Sequence, residues 1–189
     1  MTVSGQVAAV ALRLSGPAGG FAAAGPAELA RQATGGDLDA FEELVRRLQR
    51  RVYGFAYQHL GDADEAQDLA QEIFVRLYRN LGRFDAARPF EPWFWKLAAN
   101  VALNYRRRRV AVPEEGPDLA AAPAAEPDRA LRAALAALDP EHRLPLLLHY
   151  YADLPLLEVA AGLGLSLAAL KSRMHRGRAM LRRALEEEA

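Results

Sequence analysis

Apolar positions recur at helical spacing along most of the chain. After the stop-and-cap signal Gly35-Gly36-Asp37, the residues Phe41, Leu44, Val45, Leu48, Val52 and Phe55 fall three or four apart. Gly61-Asp62 punctuates, and a second helix comes next with Ala66, Leu69, Ala70, Ile73, Phe74 and Leu77 inward. The stretch Leu81 to Pro92 has the Gly and Pro content of a loop. Pro92 suits the first residue of a third helix, where its missing N–H is not needed. The core stripe of that helix is Phe94, Leu97, Ala98, Val101 and Tyr105, and it runs into Arg106 to Arg109.

The pattern then changes. Val110 to Asp128 holds four prolines and five acids, too little apolar surface to build a core. Helical spacing returns from Arg129 to Glu187, and no stretch alternates as a strand would. The expected fold is all-α: two small helical domains on a flexible acidic linker, the second containing a helix-turn-helix. The divisions are a disordered Ala/Gly-rich tail over 1–32, a first domain over 33–109, a linker over 110–128 and a second domain over 129–187.

Composition narrows the function more than the fold. The 189 residues include no cysteine, so disulfides and thiolate metal sites are excluded. His59, His142, His149 and His175 lack the spacing of a metal site, and no nucleophile or phosphate-loop motif appears. Neither an enzyme nor a cofactor is expected. No apolar run approaches the length of a membrane span, so no membrane insertion is expected. The opening segment has no basic leader and Arg13 interrupts its apolar run, which reads as a tail in a cytoplasmic protein rather than a secretory signal.

The formal net charge is zero, but the charge is segregated. Trp93 to Arg109 and Ala168 to Arg183 are basic without an acid, whereas His59 to Glu72 holds five acids and no Lys or Arg. Such a division suggests at least two kinds of partner.

Within the last basic stretch, a short helix from Leu156 to Leu163 is expected to turn Leu157, Ala160 and Ala161 inward. Gly164 allows a tight turn and Ser166 can cap the next helix. On that helix Leu167, Leu170, Met174 and Leu181 face the core. Lys171, Ser172, His175, Arg176 and Arg178 fall mainly on the other side, a face that suits a DNA major groove. A solvated basic helix end would account for Arg182 and Arg183, but less well for a basic face one turn after the cap.

On the third helix Lys96, Asn100, Asn104 and Arg107 or Arg108 share a stripe, with Trp93 and Trp95 at its start and Phe84 and Phe90 before it. Rings beside cations and amides suit unpaired bases; a core role for the aromatic residues is the alternative. On the second helix Asp64, Asp68, Gln71, Glu72 and Val75 lie opposite the core stripe. A solvated face would explain the acids, whereas Val75 among them suits a protein-docking surface.

Three blocks carry a family resemblance. "DADEAQDLAQEIFVRLYRNL" resembles the acidic helix by which bacterial sigma factors grip RNA polymerase. "FEPWFWKLAANVALNYRRRR" is similar to their promoter-melting helix, and "LAALDPEHRLPLLLHYYADLPLLEVAAGLGLSLAALKSRMHRGRAML" to their −35-reading domain. The two-domain form resembles the extracytoplasmic-function group.

The resemblance implies a promoter-specificity factor whose partners are RNA polymerase core enzyme, promoter DNA and an anti-sigma factor. It implies polymerase docking through Asp64, Asp68, Gln71, Glu72 and Val75, with Phe74 packing. Contacts to the −10 element would fall to Arg83, Phe84, Phe90, Trp93, Lys96, Asn100, Asn104, Arg107 and Arg108, the loop Arg83 to Phe90 capturing a flipped base. Those to the −35 element would fall to Lys171, Ser172, Arg173, His175, Arg176 and Arg178. The acidic linker would follow the RNA path in the polymerase. The chain departs from the family at Pro155 and Leu156, which replace a polar cap and an aromatic residue, and at Leu167 and Ala168. Two rival readings remain: a helix-turn-helix regulator without initiation activity, and a helical adaptor that binds only protein.

Overall fold

The computed structural model describes residue 21, residues 23–110 and residues 126–187, with the side chains of all but 106–110 and 126–129. The described residues form eight α-helices and no strand. In the first half these are α1 (Pro26–Thr34), α2 (Leu38–Leu60), α3 (Ala63–Asn80) and α4 (Phe90–Val110), with a 3₁₀ turn at Leu81–Arg83. In the second they are α5 (Glu126–Ala137), α6 (Pro140–Leu146) running into a π turn at Leu147–Tyr151, α7 (Leu156–Leu163) and α8 (Leu167–Glu187).

Local chemistry sets the helix ends. The Asp37 carboxylate accepts from the N–H groups of Asp39 and Ala40 at 3.0 Å, and Asp62 accepts from Glu65 N–H at 2.8 Å. Gly61 closes α2 in the left-handed conformation with φ 82°, and Gly164 closes α7 with φ 68°. The Ser166 hydroxyl accepts from Ala169 N–H at 3.1 Å, which starts α8 as expected.

Three boundaries differ from those expected. The tail was expected to reach residue 32, but α1 begins at Pro26 and buries Leu29 and Ala30 completely. Its inward stripe is mostly alanine, too weak a periodic signal to see; residues 1–20 lie outside those described. The helix α4 begins at Phe90 rather than Pro92, because a proline is tolerated anywhere in the first turn, where N–H groups have no intrahelical partner. At the other end of the linker, 126–128 belong to α5, and 111–125 lie outside the described residues.

The start of α1 is tied down by a buried carboxylate. Glu43 is 5% exposed and accepts hydrogen bonds from Arg46 and Arg47. Arg47 in turn donates to the carbonyls of Ala24 at 2.6 Å and Phe21 at 2.7 Å. Burial alone would raise the Glu43 carboxyl, but the two arginines outweigh it and hold it below the usual carboxylate value.

The two domains pack against each other: one apolar cluster runs through both. The Arg143 side chain, 1% exposed, donates to the His59 carbonyl in the first half and to the Ala136 and Leu138 carbonyls in the second. Arg51 donates to Glu91 at 2.9 Å and to the Ala152 carbonyl at 3.2 Å, while Glu91 accepts from the Trp95 indole at 2.9 Å. Tyr151 presses its hydroxyl into the notch left by Gly54, and a methyl group at Gly162 of α7 would sit 3.7 Å from Lys96 Cβ. Glycines and a buried arginine carry no sequence mark of an interface, so this packing was not legible.

The packing leads to two expected outcomes. Because the folded Glu43 pKa lies below its unfolded value of about 4.3, its contribution is full above that value and is lost as pH falls through the folded one. Glu43→Gln should therefore melt lower than the parent at neutral pH and show a shallower decline on acidification, read from melting temperatures between pH 7 and pH 3. A parallel decline in the two proteins would deny Glu43 this role. Gly54→Ala should push the Tyr151 ring out of its seat on α2, because a Cβ there overlaps the Tyr151 hydroxyl. Alanine favours helix over glycine by about 1 kcal/mol, so α2 should survive. A melting temperature that fails to rise despite that gain, with unchanged far-UV circular dichroism, is expected; a raised melting temperature would mean that Tyr151 does not pack against Gly54.

Candidate nucleic-acid interface

The helices α3 and α4 pack against each other and leave a groove of about 410 Å³ along one side. Lys96, Asn100 and Asn104 of the expected stripe line it with Trp93 at their head, together with Arg83, Leu97 and Val101. Two further lining residues, Arg76 and Asn80, come from the last turn of α3 and were missed. The available signal was a basic residue and an amide four apart at the end of an otherwise acidic helix. Three cations, three amides and an indole thus meet in one groove, and no acid lines it among the described residues.

The aromatic residues divide their work. Trp93 is half-buried and presents part of its ring to the groove. Phe84 packs behind it at 5.1 Å between ring centroids and edge-on to Phe90 at 5.4 Å. Phe90 corrects the expectation of a base contact: it is 3% exposed and stacks on Phe94 at 5.6 Å. As the first residue of α4 it roofs the core, so its ring has no free face for a base. Trp95 is wholly buried, with the Arg51 guanidinium 5.4 Å from its ring centre. The side chains of Arg107 and Arg108 lie outside those described.

The polar face of α3 is turned outward. Asp64, Asp68 and Gln71 are exposed and Glu72 and Val75 half-buried, while Phe74 is 7% exposed and packs in the core.

In the second half, Leu170 and Met174 of α8 are buried and Lys171, Ser172, His175, Arg176 and Arg178 are exposed. Arg176 donates to Ser172 Oγ at 3.1 Å and Arg178 to the Tyr150 hydroxyl at 3.0 Å, which orders both guanidinium groups. Lys171, His175 and Arg178 share a cleft of about 370 Å³ with His149 and Leu156. Arg173 differs from the expectation: it turns towards α6 and pairs with Glu141 at 3.6 Å, so it is not brought onto the exposed face.

Gly177 was also missed. It is buried where α8 crosses α6, and a Cβ there would come within 3.2 Å of the His142 carbonyl. The inward face of α7 is Val159 and Ala160; Leu157, expected inward, is 68% exposed, and Ala161 is exposed. The inward face of α7 keeps Ala160 and turns to Val159 because the helix packs on α4 as well as on α8.

Comparison with known proteins gives the family. The sequence pattern of Sigma-70 region 2 matches residues 44–111, and that of Sigma-70, region 4 matches residues 128–181. The RNA polymerase sigma factor CarQ of Myxococcus xanthus is 35% identical over 161 residues, which are 80% of this chain and 92% of CarQ. The chain belongs to the extracytoplasmic-function sigma factors. SigW of Bacillus subtilis (strain 168), of the same group, is 28% identical over 83% of this chain and 95% of its own. Among solved structures, CnrH in complex with the cytosolic domain of CnrY aligns with a TM-score of 0.68 and 29% identity, over 87% of this chain and 99% of CnrH. RpoE of Bartonella quintana, solved with the anti-sigma factor NepR, shares the fold with a TM-score of 0.65 and 21% identity, over 77% and 96%.

This sigma factor is a promoter-specificity subunit that binds RNA polymerase core, recognises −35 and −10 elements and helps open DNA. Matches over both halves overturn the regulator and adaptor readings, which each explained one half.

Burial separates Phe90 from Asn100. Phe90→Ala should cost about 3–5 kcal/mol of first-domain stability, read as a lower melting temperature. Asn100→Ala removes an exposed amide and should leave that temperature unchanged. Equal melting of the two variants would mean that Phe90 is not part of the core.

Proposed function

We propose a division of labour among three surfaces. The face of α3 bearing Asp64, Asp68, Gln71, Glu72 and Val75 docks to the polymerase core. The groove between α3 and α4 takes the −10 strand once it is unpaired: Trp93 stacks on a base, Asn100 and Asn104 meet base edges, and Arg83 and Lys96 meet phosphates. Lys171, Ser172, His175, Arg176 and Arg178 on α8 read the −35 element in the major groove. Residues 26–110 and 126–187 are the two domains that carry these roles.

The observation that carries the reading is the groove of cations, amides and indole, without an acid among its described lining, directly beyond an exposed acidic face on the same helix. Phosphate is drawn to the first and repelled by the second, so a single helix can address polymerase and DNA without confusing them. The factor works in the cytoplasm without enzymatic activity of its own. A protein partner that holds it inactive belongs to the same reading, which the complex of CnrH with the cytosolic domain of CnrY supports. No described helix is long and apolar enough to cross a membrane.

Two variants assayed with reconstituted holoenzyme test the division. Replacing both Asp68 and Glu72 by Lys should weaken core binding with helical content intact, since like charges facing each other across an interface cost several kcal/mol. Replacing both Lys171 and Arg176 by Ala should spare core binding and reduce −35-dependent initiation, with about 1–3 kcal/mol for each base pairing that alanine removes. Full core affinity in the first variant removes the docking face, and normal initiation by the second removes the reading face.

A further inference from the structure

The last turn of α3 holds an amide whose orientation is already decided. The Asn80 side-chain Nδ2 donates to the Arg76 carbonyl at 2.8 Å. A carbonyl oxygen only accepts, so the reverse orientation, with Oδ1 against it, is excluded by chemistry. The remaining atom of the amide, Oδ1, is an acceptor, and no described residue donates to it. Asn80 lines the same groove as Asn100 and Asn104, with Arg76 and Lys96 nearby. No described residue holds either of those two amides by a side-chain hydrogen bond, so each can turn to offer a donor or an acceptor. Asn80 alone of the three is fixed.

We propose that Asn80 is a specificity-determining residue that reads the exocyclic amino group of one unpaired −10 base, adenine or cytosine, through Oδ1. An immobilised acceptor accepts from the adenine N6 or cytosine N4 amino group. Guanine and thymine carry a carbonyl oxygen at the corresponding position, and two acceptors facing each other in a groove repel. The cations around it hold the phosphates and supply affinity without choosing a base. The bond to Arg76 matters as much as the free oxygen, because it removes the option of turning the amide to suit a carbonyl-bearing base. The proposal rests on the assignment of this groove to the −10 strand and adds the base class to it.

The test uses the full chain in holoenzyme, on a promoter recovered by selection with the parent protein and pre-melted over its −10 element. At each adenine or cytosine of the unpaired strand, one at a time, the base is replaced by its analogue lacking the exocyclic amino group. At one position the parent should lose binding by about threefold to tenfold. Asn80→Ala should already have lost that factor and be indifferent to the amino group there, while losing as much as the parent at every other position. Alanine is the best helix former, so the variant keeps α3. Equal sensitivity of both proteins at every position overturns the role of Asn80. If the Asn80 result fails while Asn100→Ala still impairs opening, the groove assignment stands without it. If neither variant changes binding or opening, the groove assignment itself falls.

Discussion

One guanidinium holds the architecture in register. Arg143 is buried where the C-terminal ends of α2 and α5 meet, and it donates to His59 of one and Ala136 of the other, as well as to Leu138 in the turn beyond α5. Carbonyls at helix C-termini have no partner within the helix and carry the negative end of its dipole. A planar cation with five donors answers several of them from a single point. The remaining helices of the second half depend on that anchor. Arg143 sits on α6, and α6 takes α8 at the close crossing of Gly177 over the His142 carbonyl. His142 Nδ1 lies 3.2 Å from the Arg173 carbonyl of α8, a second tie at the same crossing. The direction of the exposed basic face of α8 is therefore set by contacts made on its other side.

The first half obeys a similar logic, with aromatic rings in place of a charge. Phe90, Phe94 and Trp95 fill the space under the start of α4, and Phe84 closes it from the loop. Their burial fixes the line of the helix, and the line of the helix brings Lys96, Asn100 and Asn104 to one wall of the groove. The polar side chains of the groove thus stand on a backbone that buried rings hold in place. Such an arrangement limits the ordering cost of binding, because the backbone is already placed and only side chains remain to be ordered.

The all-α class, the long helices and the turn into α8 were legible because each rests on local signals: period, cap and glycine. The stripe on α4 was legible for the same reason, as its residues are three or four apart on one helix. What failed was non-local. Phe90 and Trp93 look alike in sequence, and only the core beneath them makes one a roof and the other a wall. Arg173 has the same composition around it as Arg176, but Glu141 lies on its side alone. Arg76 and Asn80 were passed over because they close an acidic helix, and the groove they complete exists only once α4 is laid beside it. The helix α1 was lost because alanine buries well and signals poorly.

The packing of the two halves has a consequence in length. The names of the −35 and −10 elements place them roughly 25 base pairs apart, about 85 Å along the duplex at ~3.4 Å per pair. A compact body made from a chain of this size has a radius of gyration of about 16 Å. With α7 against the Lys96 stem of α4 and Tyr151 in the Gly54 notch, a single molecule cannot straddle that span. Every productive complex must first undo this interface, and the apparent affinity for a promoter is reduced by the fraction of molecules still closed. The interface thus works as a ruler folded shut: its stability decides how much of the energy of grasping polymerase is spent on opening the ruler before any DNA is measured.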